Sequence, residues 1–335
     1  MEQKVLRLSG GLVLLALLIR LLSSSLPARA AEFFISPRVS SFLLFLETGY
    51  TLRPVCVSFS EPSEVSTEAP TQTTLPTLPQ PTQPEPMRQV FSQSECELLE
   101  LSGSLPDALA LDSLVEAPLQ WDLQGDSPTV LIFHSHGTES YKDSAGVASS
   151  AYHTLNPNHN MVSVGELLAA RLEAAGIGVI HDRTLHDQPS YSDAYVSSRT
   201  AAESYLEQYP SIQLVLDLHR DSCVDKDGNQ LPLTVDTDDD VAQLMLVVGT
   251  DQGGFTHPQW QKNLSLGVKL QLQLERLCPG ICRPINLRNQ RFNQDLSAGA
   301  LLVEVGAAGN TKEQALQAAQ VLADAIIALA PGANY

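Results

Sequence analysis

The chain is short of positive charge. Its 335 residues hold 20 Lys and Arg against 38 Asp and Glu, a formal net charge of −18. Such a surface is repelled by phosphate backbones, which excludes nucleic acid as a partner. Anionic wall polymers repel it too, so action on a cell wall needs a shaped cleft or a second protein. Cysteine is scarce and odd in number: Cys56, Cys96, Cys223, Cys278 and Cys282. That excludes a disulfide scaffold. Cys278-Pro-Gly-Ile-Cys282 has the spacing of half a metal knuckle, yet no second pair completes four ligands, which leaves a local disulfide or two ordinary thiols. G-x-S-x-G, a Walker loop and G-x-G-x-x-G are all missing, so serine-hydrolase and nucleotide-binding chemistry have no motif to rest on. No segment repeats.

Large apolar side chains nearly vanish from residues 58–88, where Pro, Thr and Ser dominate. That stretch buries too little surface to offset its ordering entropy and reads as a disordered, semi-rigid linker. Ahead of it, Lys4 and Arg7 precede an apolar run from Leu8 to Leu22, broken only by Ser9, two glycines and Arg20, and Ala28-Arg29-Ala30 follows. Residues 1–30 therefore read as a signal peptide or signal-anchor, with the basic end cytoplasmic. Residues 31–57, with the short apolar patch Ser41–Leu46, read as a membrane-proximal segment. Residues 89–335 form the folded domain, its organisation clearest over 129–330.

Within that domain strands and helices alternate. Strands are expected at Thr129–His134, Ile177–His181, Ile212–Leu218, Gln243–Gly249 and Ala300–Val305. Helices are expected at Met161–Ala174, Asp193–Gln208, Trp260–Leu277 and Thr311–Ala328. Thr237-Asp-Asp-Asp240 reads as an acidic loop, and residues 92–124 as an N-terminal cover for the sheet. This pattern predicts an α/β fold: a mixed, mostly parallel sheet with helices on both faces, preceded by the N-terminal membrane segment.

Three segments place acid/base or metal-ligand side chains at the carboxyl end of an apolar run: Thr129-Val-Leu-Ile-Phe-His134-Ser-His136-Gly-Thr-Glu139, Asp217-Leu-His219-Arg-Asp221 after Ile212–Leu216, and Ala300-Leu-Leu-Val-Glu304-Val-Gly306. Ligands of open α/β sheets gather at strand carboxyl ends. His136 and Glu139, three apart, together with His219 supply one carboxylate and two imidazoles, a ligand set suited to catalytic Zn2+. His134 rivals His136 for the first position, since strand alternation points both the same way. Asp217 or Asp221 is placed to orient the His219 imidazole. Glu304, charged within an apolar strand, suits a general base. Arg199 and Arg220 are candidates for a substrate carboxylate or an oxyanion, or for structural ion pairs. His181-Asp182 and His186-Asp187 are placed to line the cleft, while His153, His159 and His257 read as solvated loop residues.

Val130-Leu-Ile-Phe-His-Ser-His-Gly-Thr-Glu-Ser-Tyr141, His186-Asp-Gln-Pro-Ser-Tyr191 with Ser198-Arg199, Asp217-Leu-His-Arg-Asp221 and Asn293-Gln-Asp-Leu-Ser-Ala-Gly-Ala-Leu-Leu-Val-Glu-Val-Gly306 resemble the stage II sporulation protein P family. So does the layout of anchor, proline-rich spacer and catalytic domain. The resemblance implies a zinc amidase fold of the phosphorylase/hydrolase type over residues 89–335. It implies an N-acetylmuramoyl-L-alanine amidase, in some members also an endopeptidase, acting on peptidoglycan at the septum and around the engulfing membrane. It implies stage II sporulation proteins D and M as partners and a place on the outer face of the mother-cell membrane. His136, His219 and Glu304 match the family's functional positions, Glu139 matches its motif, and Tyr141 its tyrosine. The competing readings are a non-catalytic wall-binding or scaffold module and a zinc carboxypeptidase.

Overall fold

A computed structural model of the chain describes residues 91–103, 105–106, 109–119, 121–125, 127–142 and 152–330. The residues read as signal or anchor (1–30), membrane-proximal segment (31–57) and linker (58–88), with Cys56, lie outside the described residues. Among those described, no helix is long and apolar enough to cross a membrane.

In chain order the elements are α1 (Gln93–Cys96), β1 (Leu101–Ser102), α2 (Leu111–Glu116), β2 (Pro128–Phe133), α3 (Met161–Ala174), β3 (Gly178–His181), α4 (Ala194–Gln208), β4 (Leu214–Asp221), β5 (Thr234–Val235), β6 (Asp238–Ala242), β7 (Leu244–Gly249), α5 (Trp260–Leu277), β8 (Ile285–Arg288), β9 (Ala300–Ala307) and α6 (Lys312–Leu329). Helix ends follow local chemistry. The Asn160 side chain accepts from the Val162 amide to start α3, satisfying one of the orphan donors of the first turn. The same helix stops at Gly176, whose φ of 81° suits only a residue without a Cβ penalty. Its Leu172 carbonyl accepts from the Ile177 amide at 3.1 Å and its Glu173 carbonyl from the Gly176 amide at 3.0 Å. Thr311 and Gln314 close a reciprocal capping box on α6.

Seven strands pair in the order β1-β8-β7-β9-β4-β2-β3. Every pairing is parallel except β7 against β9. The expected mixed, mostly parallel sheet with helices on both faces is what forms. Alternation along each strand divides the faces. Val130, Ile132, Leu214, Leu216, Val303 and Val305 pack with Val164, Leu168, Leu264, Leu322 and Ile326 from α3, α5 and α6 in the larger core. Leu131, Phe133, Val215 and Ala300 face the other way, onto Ala202 and Leu206 of α4. Asp217 and His219 follow Val215 at steps of two, and Glu304 follows Leu302, so the chemistry lies on the α4 face.

Two expectations need correction. The acidic stretch 237–240 is no loop: Thr234–Val235 pairs antiparallel with Asp238–Ala242 as a hairpin. Its aspartates are poor strand formers, but they are exposed. Residues 92–124 do more than cover the sheet, because Leu101–Ser102 adds an edge strand parallel to β8.

Candidate metal centre

Three strand ends build the site. After β2 the chain turns over residues 135–138, and the Glu139 amide donates to the His136 carbonyl at 3.2 Å. That single turn swings His136 and Glu139 over the end of β4. The register of β4 against β9 sets His219 directly beside Glu304. On its other side Glu304 lies beside Met245 of β7. Ligand atoms of His136, Glu139 and His219 all fall within 4.8 Å of one another.

His219 is held from both ends. Its Nδ1 lies 3.6 Å from Glu139 Oε2 and its Nε2 2.9 Å from Asp217 Oδ1. The second contact is ionic, for Nε2 is not aligned for a hydrogen bond. Asp217 is fixed in turn by Ser135, whose amide donates to Oδ1 at 2.8 Å and whose hydroxyl donates to Oδ2 at 2.6 Å. The Arg220 amide donates to Glu139 Oε2 at 3.2 Å.

The electrostatics describe a buried excess of negative charge. Burial alone would lower His219, yet the Asp217 and Glu139 carboxylates hold it well above the ordinary imidazole value. Burial would raise Glu139, but the neighbouring His219, the Arg220 charge and the Arg220 amide's hydrogen bond bring it below the usual carboxylate range. Glu304 is pushed up to about 8 by burial, with Glu139 and Asp221 adding to the rise and His219 and Arg220 opposing it. His136 is lowered by burial and by His219, favouring the neutral imidazole. Glu304 Oε2 is buried without a hydrogen-bond partner. Two imidazoles and a carboxylate converging beside an orphaned carboxylate oxygen fit a divalent cation. The surplus of carboxylates that raises His219 is the charge such a cation would offset.

The other expected residues are placed as follows. Of the two aspartates, Asp217 touches His219, while Asp221 pairs with Arg283 at 2.6 Å. Neither arginine is free for a substrate. Arg199 bridges Glu203 at 2.8 Å and Asp295 at 3.0 Å. Arg220 is 7% exposed, and its guanidinium donates to the Ser140 and Tyr152 carbonyls at 3.0 Å each. His134 does not share the direction of His136, because β2 ends before it. Its Nδ1 lies 3.1 Å from the Leu218 carbonyl and its Nε2 2.9 Å from His181 Nε2. Asp182 contacts His186 at 3.1 Å. Asp187 accepts from the Thr138 amide and hydroxyl, bracing the first turn. His257 is buried rather than solvated, and His153 Nδ1 lies 3.0 Å from the Thr138 hydroxyl. Tyr141 is fully buried and donates to the Val305 carbonyl at 2.8 Å, tying the first turn to β9. The four described cysteines are free thiols.

Two site residues were given no role by the sequence reading: Tyr191, quoted only within a motif, and Tyr195. The Tyr191 ring meets His136 edge-on, centroids 4.1 Å apart, and Tyr195 lies 5.4 Å from His136 and stacks at 6.4 Å over His219. Their spacing of four, at the start of a helix, was the available signal.

The model of the family "Stage II sporulation protein P" matches residues 59–327. Stage II sporulation protein P of Bacillus subtilis (strain 168) is 27% identical over 252 residues, covering 72% of this chain and 60% of that protein. The chain thus spans well under two thirds of that relative's length. Among solved structures, an N-acetylmuramoyl-L-alanine amidase of Nostoc punctiforme is similar with a TM-score of 0.36 and 14% identity, covering 61% of this chain and 98% of that one. One from Clostridium difficile 630 has a TM-score of 0.38 and 16% identity, over 61% and 97%. At these scores the likeness adds nothing to the chemistry of the site.

Proposed function

The chain belongs to the stage II sporulation protein P family, and on that premise we propose that it is a zinc-dependent peptidoglycan hydrolase, cleaving the amide between N-acetylmuramic acid and L-alanine during sporulation. The observation that carries the reading is the convergence of His136, Glu139 and His219 within 4.8 Å, with Glu304 next in register to His219. Zinc held by these three would supply a Lewis acid and ease deprotonation of water. Asp217, anchored by Ser135, keeps the His219 ring in its orientation. Glu304 takes the proton of the attacking water and passes it to the departing L-alanine amine. Its apolar strand and the ring of Tyr195 keep bulk water away from that transfer.

A zinc carboxypeptidase would need a free cation for the substrate's terminal carboxylate, and both Arg199 and Arg220 are committed to protein groups. A scaffold module has no use for a buried carboxylate beside three convergent ligands. The family premise also underlies the remaining parts of the proposal: residues 1–30 as export signal or anchor, 58–88 as linker, attachment to the outer face of the mother-cell membrane, and stage II sporulation proteins D and M as partners. Digestion of purified peptidoglycan, with products read by mass spectrometry, tests the activity. Free stem peptides beginning with L-alanine are expected, and they should disappear on exhaustive chelation and return with zinc. Cut peptide cross-links with intact muramoyl amides would replace the amidase by an endopeptidase.

A further inference from the structure

Beyond the metal site the α4 face continues as a wall of aromatic rings. Tyr191 stands edge-on to His136 and is 56% exposed. Tyr195 lies next, over His219, and Phe292 follows with its ring 5.8 Å from Tyr195. Phe292 also packs on Met245, Val247 and Leu302, the residues that flank Glu304 on its own strand and on β7. The row therefore runs alongside the acid/base carboxylate.

Phe292 reaches this place at a cost. Its φ is 49° and that of Asn293 is 58°, so two successive residues sit in the left-handed region. Asn tolerates that region; a bulky aromatic does not. The neighbours leave no choice. Asn293 Nδ2 donates to the Tyr195 carbonyl at 2.9 Å and to Ser198 Oγ at 3.2 Å. Gln294 is bonded at both ends to β7, accepting from the Gly249 amide and donating to the Val247 carbonyl, each at 2.9 Å. Strain of this kind at the lip of a reactive site is a sign of a retained task.

The arginines around the wall are spent, while the Glu139, Asp217 and Glu304 carboxylates beside His219 repel an anion. Arg199 and Arg291 both bind Asp295, Arg291 also covers the Phe255 ring at 5.4 Å, and Arg220 holds carbonyls. The wall thus suits an uncharged ring with one apolar face. From this geometry we infer that Tyr191, Tyr195 and Phe292 form a carbohydrate subsite that stacks an N-acetylated pyranose ring. The C–H face of such a sugar carries weakly positive hydrogens, which the negative faces of aromatic rings attract. Only the sugar's identity rests on the hydrolase reading. Anchoring the glycan away from the scissile bond would position the muramoyl amide at Glu304.

The test titrates an oligomer of N-acetylglucosamine, free of peptide, into the full chain by calorimetry, with a free stem peptide as the comparison. Wild type should bind the oligomer. Phe292→Asn removes the ring while keeping a side chain that accepts the left-handed conformation, and should weaken that binding tenfold or more while the chain stays folded by circular dichroism, its thermal midpoint lowered by the lost packing on Met245, Val247 and Leu302. Tyr191→Ala, at an exposed position, should weaken it as well. No binding to wild type, equal binding to both variants, or a loss confined to the stem peptide would each overturn the inference. A chain that cuts peptidoglycan but ignores the oligomer removes the subsite and leaves the hydrolase. One that binds the oligomer but cuts nothing does the reverse.

Discussion

Two pairs of histidines lie at the ends of neighbouring strands, alike in composition and spacing and different in surroundings. His136 and His219 have ring centroids 5.2 Å apart, and so do His134 and His181. The second pair is a core contact, although His181 Nδ1 is buried without a hydrogen-bond partner. His134 has the Leu218 carbonyl on one nitrogen and His181 on the other. The carboxylate near His181, Glu166, is already held by Arg183. Gly165 of α3 lies so close over both imidazoles that a Cβ there would collide with them. Burial and the facing ring push His134 down to about 3, and burial lowers His181. These are neutral core histidines. The first pair has the opposite inventory: three surrounding carboxylates, Glu139, Asp217 and Glu304, no arginine side chain paired to any of them, and a buried carboxylate oxygen without a partner. A site differs from a structural cluster in the charge its neighbours leave uncompensated.

The largest effect that would break this comparison is loss of the base. Glu304→Gln keeps shape and hydrogen-bonding capacity but accepts no proton. Hydrolysis should fall roughly 10²–10⁴-fold while zinc content holds, checked by activity assay and metal analysis on one preparation. Zinc lost together with activity would make Glu304 a ligand.

Next in size is the support of His219. Asp217→Asn should weaken zinc roughly 10–100-fold, measured by competition with a chromophoric chelator. The same assay has a pH slope with a definite sign. Because the folded chain holds the His219 proton well above the ordinary value, acidification lets that proton compete with zinc, and affinity rises as pH rises through that range. In Asp217→Asn the slope should flatten, since one carboxylate retaining the proton is gone.

The smallest effect falls on the core pair. Gly165→Ala forces a methyl against His134 and His181 and should cost about 1–3 kcal/mol in denaturant unfolding, with zinc affinity unchanged. A loss of zinc comparable to that of Asp217→Asn would show that the two pairs are one unit.

Much of this was legible before any coordinates. Met161–Ala174 and Trp260–Leu277 form over the expected residues, because helical apolar spacing and an end signal such as Gly176 are local. His136, Glu139 and His219 converge because carboxyl ends of parallel strands meet by topology. What the sequence could not convey was direction and partnership. His134 and His136 separate only because β2 ends at Phe133, a boundary set by the turn that follows. Arg220 reads equally as a substrate binder or a structural ion pair until the carbonyls of Ser140 and Tyr152, 80 and 68 residues away, are seen to occupy it. The hairpin at Asp238–Ala242 hides because its aspartates oppose strand propensity, and its pairing with Thr234–Val235 is a tertiary outcome.

The account stands or falls on the zinc stoichiometry of His219→Ala and His134→Gln, purified side by side with wild type and assayed by atomic emission. Wild type and His134→Gln should carry about one zinc per chain, and His219→Ala none. Equal zinc in the two variants, at any level, would contradict the assignment of the metal to His136, Glu139 and His219.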